Sequence, residues 1–528
     1  MKTVCILAAG QGKRLGPKTK YFPKALVKIG DKAAISHIIE YFPHGQYRFV
    51  IAIGHLGHLV KQYVNIAHPD ISVSYVDADK PDGPGYALEK CRPNTPGEFY
   101  IWNCDTLVDP VGFYHLEDRN WIGFALAESK DGEYSSIERL PNGRVNWFWE
   151  KNGNYTGNAY IGCAFIKDFE TFWEGLKFRP VIVDGQHQVS SGFNLLIDEN
   201  KRVDGLEFEW FDTGNLQSLQ STKEKFKGKI ENLDKEDEEI YFFDGFVVKY
   251  FFNEKIAENR AKRNLSLGDT VPKLIKSEKN FYSYGYLEGQ DLYSLEHPED
   301  HVKELFEFMK TNLWVEKKLT PEQCSQFHEA CVDFYYRKTK IRIEQLFSKL
   351  HMYDHENVIN GETVPRIFDM LSVINWKKLL DGTPTLMHGD FNFSNILLTD
   401  KGYKIIDWRQ DFGGITEYGD MYYDLAKFYS GLLFPHDIVK DKQYEISIKD
   451  KTVNYQIKNC NSPGLTEKYK KACIRMIFAV TELGADFKKA KQLAALVLIN
   501  MAPLHEYPLN VLLYYMGKEE LWKSLKEK

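Results

Sequence analysis

The run His388-Gly389-Asp390-Phe391-Asn392-Phe393-Ser394-Asn395 is followed by Ile405-Ile406-Asp407-Trp408. It sets an Asp and an Asn five positions apart and a second Asp at the end of a short apolar segment. Phosphoryl transfer from ATP needs a carboxylate to orient a hydroxyl and two oxygen ligands to hold Mg²⁺ against the phosphates. Asp390 is the candidate for the first role, and Asn395 and Asp407 are candidates for the second. A second phosphate-handling signature opens the chain: Leu7-Ala8-Ala9-Gly10-Gln11-Gly12-Lys13-Arg14-Leu15. A strand running into glycines and cations brings backbone N–H groups and positive charge to a triphosphate. Phe22-Pro23-Lys24 supplies another cation, and acids end two later apolar runs, Asp105 after Trp102-Asn103-Cys104 and Asp212 after Trp210-Phe211.

These residues need elements to position them. From residue 1 to about 215, strand patterns (3–7, 47–53, 71–76, 99–102, 121–126, 158–166) alternate with helical ones (33–41, 57–63), which predicts an α/β domain with a mostly parallel sheet. Residues 222–239 are dense in charge and read as a solvated helix or linker. A small β-rich segment follows at 240–252 and 273–286, and long amphipathic patterns dominate from about 296. The expected division is 1–225, a charged linker 226–239, and 240–528, the last with a small lobe 240–290 and a helical lobe 291–528.

At 528 residues the chain is long enough for two or three domains. Hydrophobic residues at 43% and charged residues at 27% are ordinary for a globular protein, so most of the 14% aromatics are expected in cores. A net charge of −6 argues against nucleic acid or an anionic membrane as partner, leaving small molecules. Eight cysteines without a CxxC pair or zinc-ligand spacing suggest a reduced, cytoplasmic protein. Leu493–Met501 is far short of a membrane span. Oligomeric state leaves no mark in the sequence.

With these motifs in view, residues 1 to about 220 resemble the nucleotidyltransferases that activate phosphorylated sugars and choline phosphate. The resemblance implies a Rossmann-like mixed sheet. It further implies that Leu7, Ala8, Ala9, Gly10 and Gly12 line the nucleotide site, with Lys13 and Arg14 at the triphosphate, Lys24 at the phosphates of the reacting centre and Asp105 and Asp212 on Mg²⁺. Gly83-Pro84-Gly85 stands at the family's glycine-rich base and sugar loop, and Glu150-Lys151 at its acceptor-phosphate pair, which makes Gly83 and Lys151 candidates. An acceptor phosphomonoester has a second pKa of about 6 and is largely a dianion near neutral pH, so charge cancellation matters more than a base.

Residues from about 240 to 528, and Leu386–Lys427 above all, resemble the choline kinase and aminoglycoside phosphotransferase family, an α+β two-lobed kinase-like fold. By that resemblance Asp390 meets the acceptor hydroxyl, Asn395 and Asp407 hold Mg²⁺, and His388 structures the loop. Val247-Val248-Lys249 presents a lysine for the ATP phosphates, Glu258 is its candidate ion-pair partner, and Tyr286 lies in a hinge, Tyr284–Gly289, that meets adenine. Asp411-Phe412-Gly413 spells a protein-kinase metal motif, but only Asp407 ends an apolar strand pattern beside the loop. Where choline kinases carry a Glu that helps hold a cationic headgroup, this chain has Arg409, which disfavours a quaternary ammonium and favours an anionic or polyhydroxyl acceptor.

The expected function is bifunctional: ATP-dependent phosphorylation of a sugar, polyol or hydroxy acid, then transfer of a nucleoside monophosphate, CMP for preference, to that product for surface polysaccharide synthesis. Mg²⁺, ATP and an NTP (CTP preferred) are the implied cofactor and substrates. Choline or ethanolamine activation is the first alternative, and a nucleotide-binding regulatory pseudoenzyme the second.

Overall fold

Strands whose residues are apolar on both faces belong inside a sheet covered on both sides. The N-terminal strands have this character in the computed structural model, which describes residues 1–80, 82–109, 113–127, 134–151, 153–228, 237–435, 442–457 and 465–527. Contacts divide it into two units, Met1–Ala257 with Ile275–Tyr286, and Glu258–Leu274 with Leu287–Lys528.

In the first unit β1 (Lys2–Ala8), β2 (Tyr47–Ile53), β3 (Ser72–Asp77) and β4 (Phe99–Asn103) pair in parallel, in the order β4-β1-β2-β3. Beyond a short strand β5 (Thr106–Val108), the sheet continues with β6 (Asn120–Leu126), β7 (Ser136–Arg139), β8 (Val145–Trp149), β9 (Asn158–Ile166) and β10 (Val203–Glu207). Here β9 runs antiparallel to β4, β6 and β7, so the sheet is mixed. A last strand, β11 (Trp210–Asp212), leaves the sheet and pairs with β5.

Alternate residues of β1 enter two different cores. Val4 and Ile6 pack with Ile38 of α1 (Ala34–Glu40) and with Leu59 and Tyr63 of α2 (Gly57–Ala67). Cys5 and Leu7 pack with Leu88 of α3 (Pro84–Cys91), Phe172 of α4 (Phe169–Phe178) and Leu196 of α5 (Ser190–Asp198). Because β1 has a parallel neighbour on each side, its carboxyl end is a topological switch point, where open α/β sheets leave a ligand crevice. Ala9-Gly10-Gln11-Gly12 begins there.

A four-stranded antiparallel sheet forms from β12 (Glu238–Phe243), β13 (Phe246–Phe251), β14 (Leu274–Ser277) and β15 (Phe281–Gly285), in the order β12-β13-β15-β14. It packs on the α2 face of the first unit. The Tyr63 and Tyr241 rings lie 4.8 Å apart, and Gln62 and Asn280 exchange two hydrogen bonds of 3.1 and 2.8 Å. Tyr241 Oη donates to Leu26 O at 2.7 Å and Tyr250 Oη to Tyr21 O at 2.6 Å. Contacts therefore place this sheet with the N-terminal core, and the unit boundary falls inside α7 (Glu254–Leu267). Of the charged stretch 226–239, residues 229–236 lie outside the described residues.

The second unit is mostly helical, with α8 (Val302–Asn312), α9 (Pro321–Cys331), α10 (Lys338–Leu350), α11 (Met421–Leu433), α12 (Leu465–Glu482), α13 (Phe487–Met501) and α14 (Leu509–Lys526). A π-helical segment, Val332–Arg337, joins α9 to α10. A small sheet of β16 (Gln290–Asp291), β17 (Ile396–Thr399) and β18 (Gly402–Ile405) stands beside the 388–395 loop. No described helix is long and apolar enough to cross a membrane. The seven described cysteines are free thiols, and Cys460 lies outside the described residues.

Gly83, at φ 95°, caps α3, and a Cβ there would lie 2.4 Å from His187 O. Gly83→Ala should therefore destabilise the first unit by roughly 1–3 kcal/mol. A lowered thermal midpoint by calorimetry is the expected result, and an unchanged midpoint would contradict this packing.

Candidate active sites

The first site lies at the switch point. Leu7, Ala9, Gly10, Gly12, Lys13 and Arg14 line a cavity of about 620 Å³, together with Lys24, Gly83 and Asp105. Ala8, the alternate residue of β1, points the other way into the core. A second cavity of about 250 Å³ is lined by Arg14, Asp105, Glu150, Lys151 and Asp212, so Arg14 and Asp105 face both.

Asp105 sits in the turn before β5 and Asp212 ends β11, whose pairing sets Asp212 opposite Thr106. Gly214 marks how closely the charges converge. A Cβ on it would be 2.9 Å from Asp212 Oδ1, 3.2 Å from Asp105 Oδ2 and 3.4 Å from Lys24 Nζ. Lys24 forms an ion pair with Asp105. Gly214 N donates to Asp212 Oδ1 at 2.8 Å, and Asn215, the cap of α6 (Leu216–Lys225), reaches Asp212 Oδ2 at 3.4 Å. Burial pushes the Asp105 carboxyl up, but Lys24 outweighs it and holds the group below its ordinary pKa. Asp212 is raised, first by burial and then by the Asp105 charge beside it. The pair thus carries opposite shifts from one arrangement of charge.

Sequence reasoning missed Gly54, His55, Asp79 and Lys80 in the larger cavity and Tyr134, Gln188 and Trp210 in the smaller. The first four follow the carboxyl ends of β2 and β3, a signal that parallel strands beside a switch point offer.

The second site is built around a buried carboxylate. Asp424, on α11, accepts from His388 N at 2.8 Å, Gly389 N at 2.6 Å and Trp314 Nε1 at 3.1 Å. Gly389, at φ 87°, leaves room for Arg409, whose Cβ would lie 2.5 Å from a Cβ at that position. Asp390 follows. Lys427 Nζ is 2.8 Å from Asp390 Oδ1, and Asn395 Nδ2 donates to Asp390 O at 2.8 Å and to Oδ2 at 3.2 Å. Burial acts to raise Asp390, but Lys427 prevails and its pKa falls to about 2.

His388 ties the loop to the next strand. Its Nε2 donates to Ile406 O at 2.7 Å and its Nδ1 accepts from Asp390 N at 3.3 Å, which fixes the tautomer. Burial lowers its pKa to about 4, so the ring is neutral. Ile406 N donates to Asn395 O at 2.9 Å and brings Asp407 beside the loop. Asp407 is left-handed at φ 61°, and Arg260 Nη1 lies 3.6 Å from its Oδ1. Asp411 has a local task instead: its Oδ1 accepts from Gly414 N at 3.1 Å, while Phe412 is buried with its ring 4.7 Å from that of Phe334. Trp408 is also fully buried.

Of the remaining candidates, Lys249 is buried in β13, with its ammonium 6.0 Å from the Tyr284 ring. Tyr286 N donates to Gly245 O at 2.9 Å. Glu258 is exposed on α7. The missed residues of the second site are Lys427, Asp424, Arg260 and Arg263, which are distant from the loop in sequence and carry no local motif.

No cage of three or more His, Cys, Asp or Glu side chains exists among the described residues. Two-oxygen sets suit Mg²⁺, which binds through one or two carboxylates and completes its shell with phosphate and water. Asp105 with Asp212, and Asn395 with Asp407, are the side-chain pairs that could hold it.

Residues 263–441 match the Phosphotransferase enzyme family. That span contains Asp390, Asn395, Asp407, Arg409, Asp424 and Lys427. The N-terminal region is similar to sugar-phosphate nucleotidyltransferases. The Bifunctional protein GlmU of Methanococcus maripaludis is 24% identical over 256 residues, 46% of this chain and 61% of that protein. The chain therefore spans about three-fifths of that relative's length. The UTP–glucose-1-phosphate uridylyltransferase AglF of Haloferax volcanii is 21% identical over 39% of this chain and 87% of its own. A stretch of 64 residues, 12% of this chain, is 44% identical to a glucose-1-phosphate cytidylyltransferase of Salmonella typhimurium, covering 24% of that protein. Among solved structures, a UDP-glucose pyrophosphorylase in complex with UDP-glucose aligns over 43% of this chain and 98% of its own, at 18% identity and a TM-score of 0.39. The chain thus joins a region similar to one family of enzymes to a region that matches another.

Asp424 generates a test of the phosphotransferase loop. Asp424→Ala strands three donors, at about 1–3 kcal/mol each when buried. Urea unfolding should show a lower midpoint for the second unit, and an unchanged midpoint would mean the loop is held elsewhere. Burial raises the Asp424 pKa to about 6, above its unfolded value. The stabilisation from its proton is present at low pH and lost as pH rises through 6, so the gap between wild type and variant should narrow from pH 5 to 7.

Proposed function

We propose that the chain phosphorylates a small hydroxylated metabolite with ATP at Asp390 and joins a nucleoside monophosphate to the phosphorylated product at the Arg14–Lys24–Asp105–Asp212 site. The two reactions are consecutive, and the product is an activated sugar, polyol or hydroxy acid of the kind used to build surface polysaccharides. The observation that carries this reading is that each site sets a lysine-held acid, Asp105 by Lys24 and Asp390 by Lys427, beside another oxygen-bearing side chain, Asp212 in the first and Asn395 in the second.

In the kinase reaction the acceptor oxygen attacks the γ-phosphorus, its bond to ADP breaks, and Asp390 takes the hydroxyl proton. An Asp with a pKa of about 2 is a weak base. That suits a loose phosphoryl transition state, in which orientation matters more than early deprotonation. Asp390 orients the hydroxyl, and Asn395 and Asp407 are placed to hold Mg²⁺. Lys249, Glu258 and Tyr286 serve ATP in this reading, with residues 240–290 as the small lobe. In the transferase reaction an oxygen of the phosphomonoester attacks the α-phosphorus of the NTP and pyrophosphate leaves. Lys13, Arg14, Lys24 and Lys151 offset the anionic charge as the two substrates approach. Mg²⁺, when bound, adds to that neutralisation at both sites. CTP is the preferred donor, supported by the similarity to a cytidylyltransferase; the uridylyltransferase relative makes UTP the alternative to assay.

Asp390→Asn should lower ATP-dependent phosphorylation by roughly 10²–10⁴-fold while leaving nucleotidyl transfer to a supplied phosphomonoester intact. Asp105→Asn should do the reverse. Loss of both activities from either change, in folded protein, would refute independent sites.

Asp407→Ala should abolish phosphorylation, whereas Asp411→Ala should keep a substantial rate, because Asp411 closes the turn to Gly414. ADP release with either variant decides the metal assignment, and a dead Asp411 variant beside an active Asp407 variant would reverse it.

A further inference from the structure

The helix that runs from α9 through the π-helical segment into α10 places Phe334, Lys338 and Arg342 at positions i, i+4 and i+8, on one face. Single π-helical turns inside α-helices are frequent at functional sites. Lys338 Nζ lies 4.2 Å from the centre of the Phe334 ring, and Arg409 Cζ lies 4.9 Å from the same ring. The two cations are therefore within about 9 Å of each other by simple geometry. Arg409 also crosses Gly389, the neighbour of Asp390.

Other cations near the loop already have partners. Lys427 meets Asp390, Arg260 meets Asp407, and Arg263 donates to Arg409 O and Met387 O. Lys338, Arg342 and Arg409 differ. Arg342 donates to Gln345 at 3.2 Å, Lys338 and Arg409 meet the aromatic ring, and none of the three pairs with a carboxylate among the described residues. Arg409 Nε is buried and donates to no acceptor among the described residues. Asp411 acts on Lys338 against three cations, Arg409, Arg342 and Lys427. A protein does not gather like charges around a buried ring for stability, since each raises the energy of the others.

We infer that Lys338, Arg342 and Arg409 form an anion subsite beside Asp390, so that the acceptor carries a carboxylate or phosphate besides the hydroxyl that is phosphorylated. The inference deepens the phosphotransferase reading and rests on it for the role of Asp390. Burial, with Arg409, Arg342 and Lys427, lowers the Lys338 pKa to about 7, so an arriving anion restores a proton that the empty cluster partly releases. The same cluster rejects a quaternary ammonium, which is why the aromatic Phe334 does not make a choline cage.

The test uses the full chain, with glycerol, D-glycerate, glycerol phosphate and choline as probes. Acetic anhydride labelling of Lys338 at pH 7, followed by peptide mass spectrometry, reads the subsite without any turnover. D-Glycerate or glycerol phosphate should slow labelling of Lys338 in wild type, and Arg342→Met should abolish that protection while Arg342→Lys retains it. Glycerol and choline should not protect. The more protective anion tells carboxylate from phosphate. ADP release is measured in parallel over neutral and anionic members of matched hydroxyl series. Anionic members should win, and Arg342→Met should raise their KM by roughly 10- to 150-fold with the KM for ATP unmoved. Protection with no ADP release from any acceptor would leave the anion subsite standing and sink the kinase reading. Labelling indifferent to both anions, or choline or glycerol phosphorylated better than the anionic partners, would overturn the subsite.

Discussion

Carboxylates that must stand close together repel, and a cation brought from a distant part of the chain is what lets them do so. Lys24, 81 positions before Asp105, reaches it across the crevice at the end of β1. Lys427 on α11 does the same for Asp390, and Arg260 on α7 for Asp407. The Lys24–Asp105 pair differs in kind from an exposed one such as Arg366–Asp369, which adds little to stability. Lys24 and Asp105 are largely withdrawn from water, with side chains 12% and 18% exposed, so removing one partner would leave the other charged and poorly solvated. The acids keep their geometry only while their cations remain.

A second layer holds the backbone that carries those acids. Asp424 ties two successive N–H groups and an indole, His388 bridges the loop to Ile406, and Asn215 caps α6 while touching Asp212. Each is a buried or half-buried polar group satisfied by several partners, the condition under which low dielectric stiffens a network instead of penalising it. The left-handed backbone of Asp407 belongs to this layer. An Asp tolerates that conformation better than a branched residue, and the bonds at Ile406 hold it there.

The strands with continuous apolar runs were legible from sequence: 47–53 and 158–166 match their observed ends, and the others agree within a residue or two. β7 and β8 were not, because Ser-Ile-Glu-Arg and Val-Asn-Trp-Phe-Trp mix polar and aromatic residues in a half-covered part of the sheet. The helices α3 to α5 also escaped, since their apolar content is short and broken by Gly85, Gly175 and Gly192. The acids at both sites were readable because their spacing is local. Lys427, Asp424 and Arg260 were not, because only tertiary structure brings them to the loop. The packing of β12–β15 on α2 depends on Gln62, Tyr63 and Asn280, none of which signals its partner in sequence.

Both proposed reactions join oxygen to phosphorus, and in neither does a strong base fit the residues at hand. Asp390 is held at low basicity by Lys427, and a phosphomonoester dianion requires no deprotonation at all. What remains for the protein is to bring anions together and to cancel charge as it develops, and these terms are large where water is excluded. A fold meets that need by fixing acids and cations on elements that cannot move apart. That is what the paired strands β5 and β11 do for Asp105 and Asp212, and what the Asp424-anchored loop does for Asp390 and Asn395. The cations at Lys338, Arg342 and Arg409, which meet no carboxylate among the described residues, extend the same principle one step outward, from the phosphate that moves to the charge the acceptor brings with it.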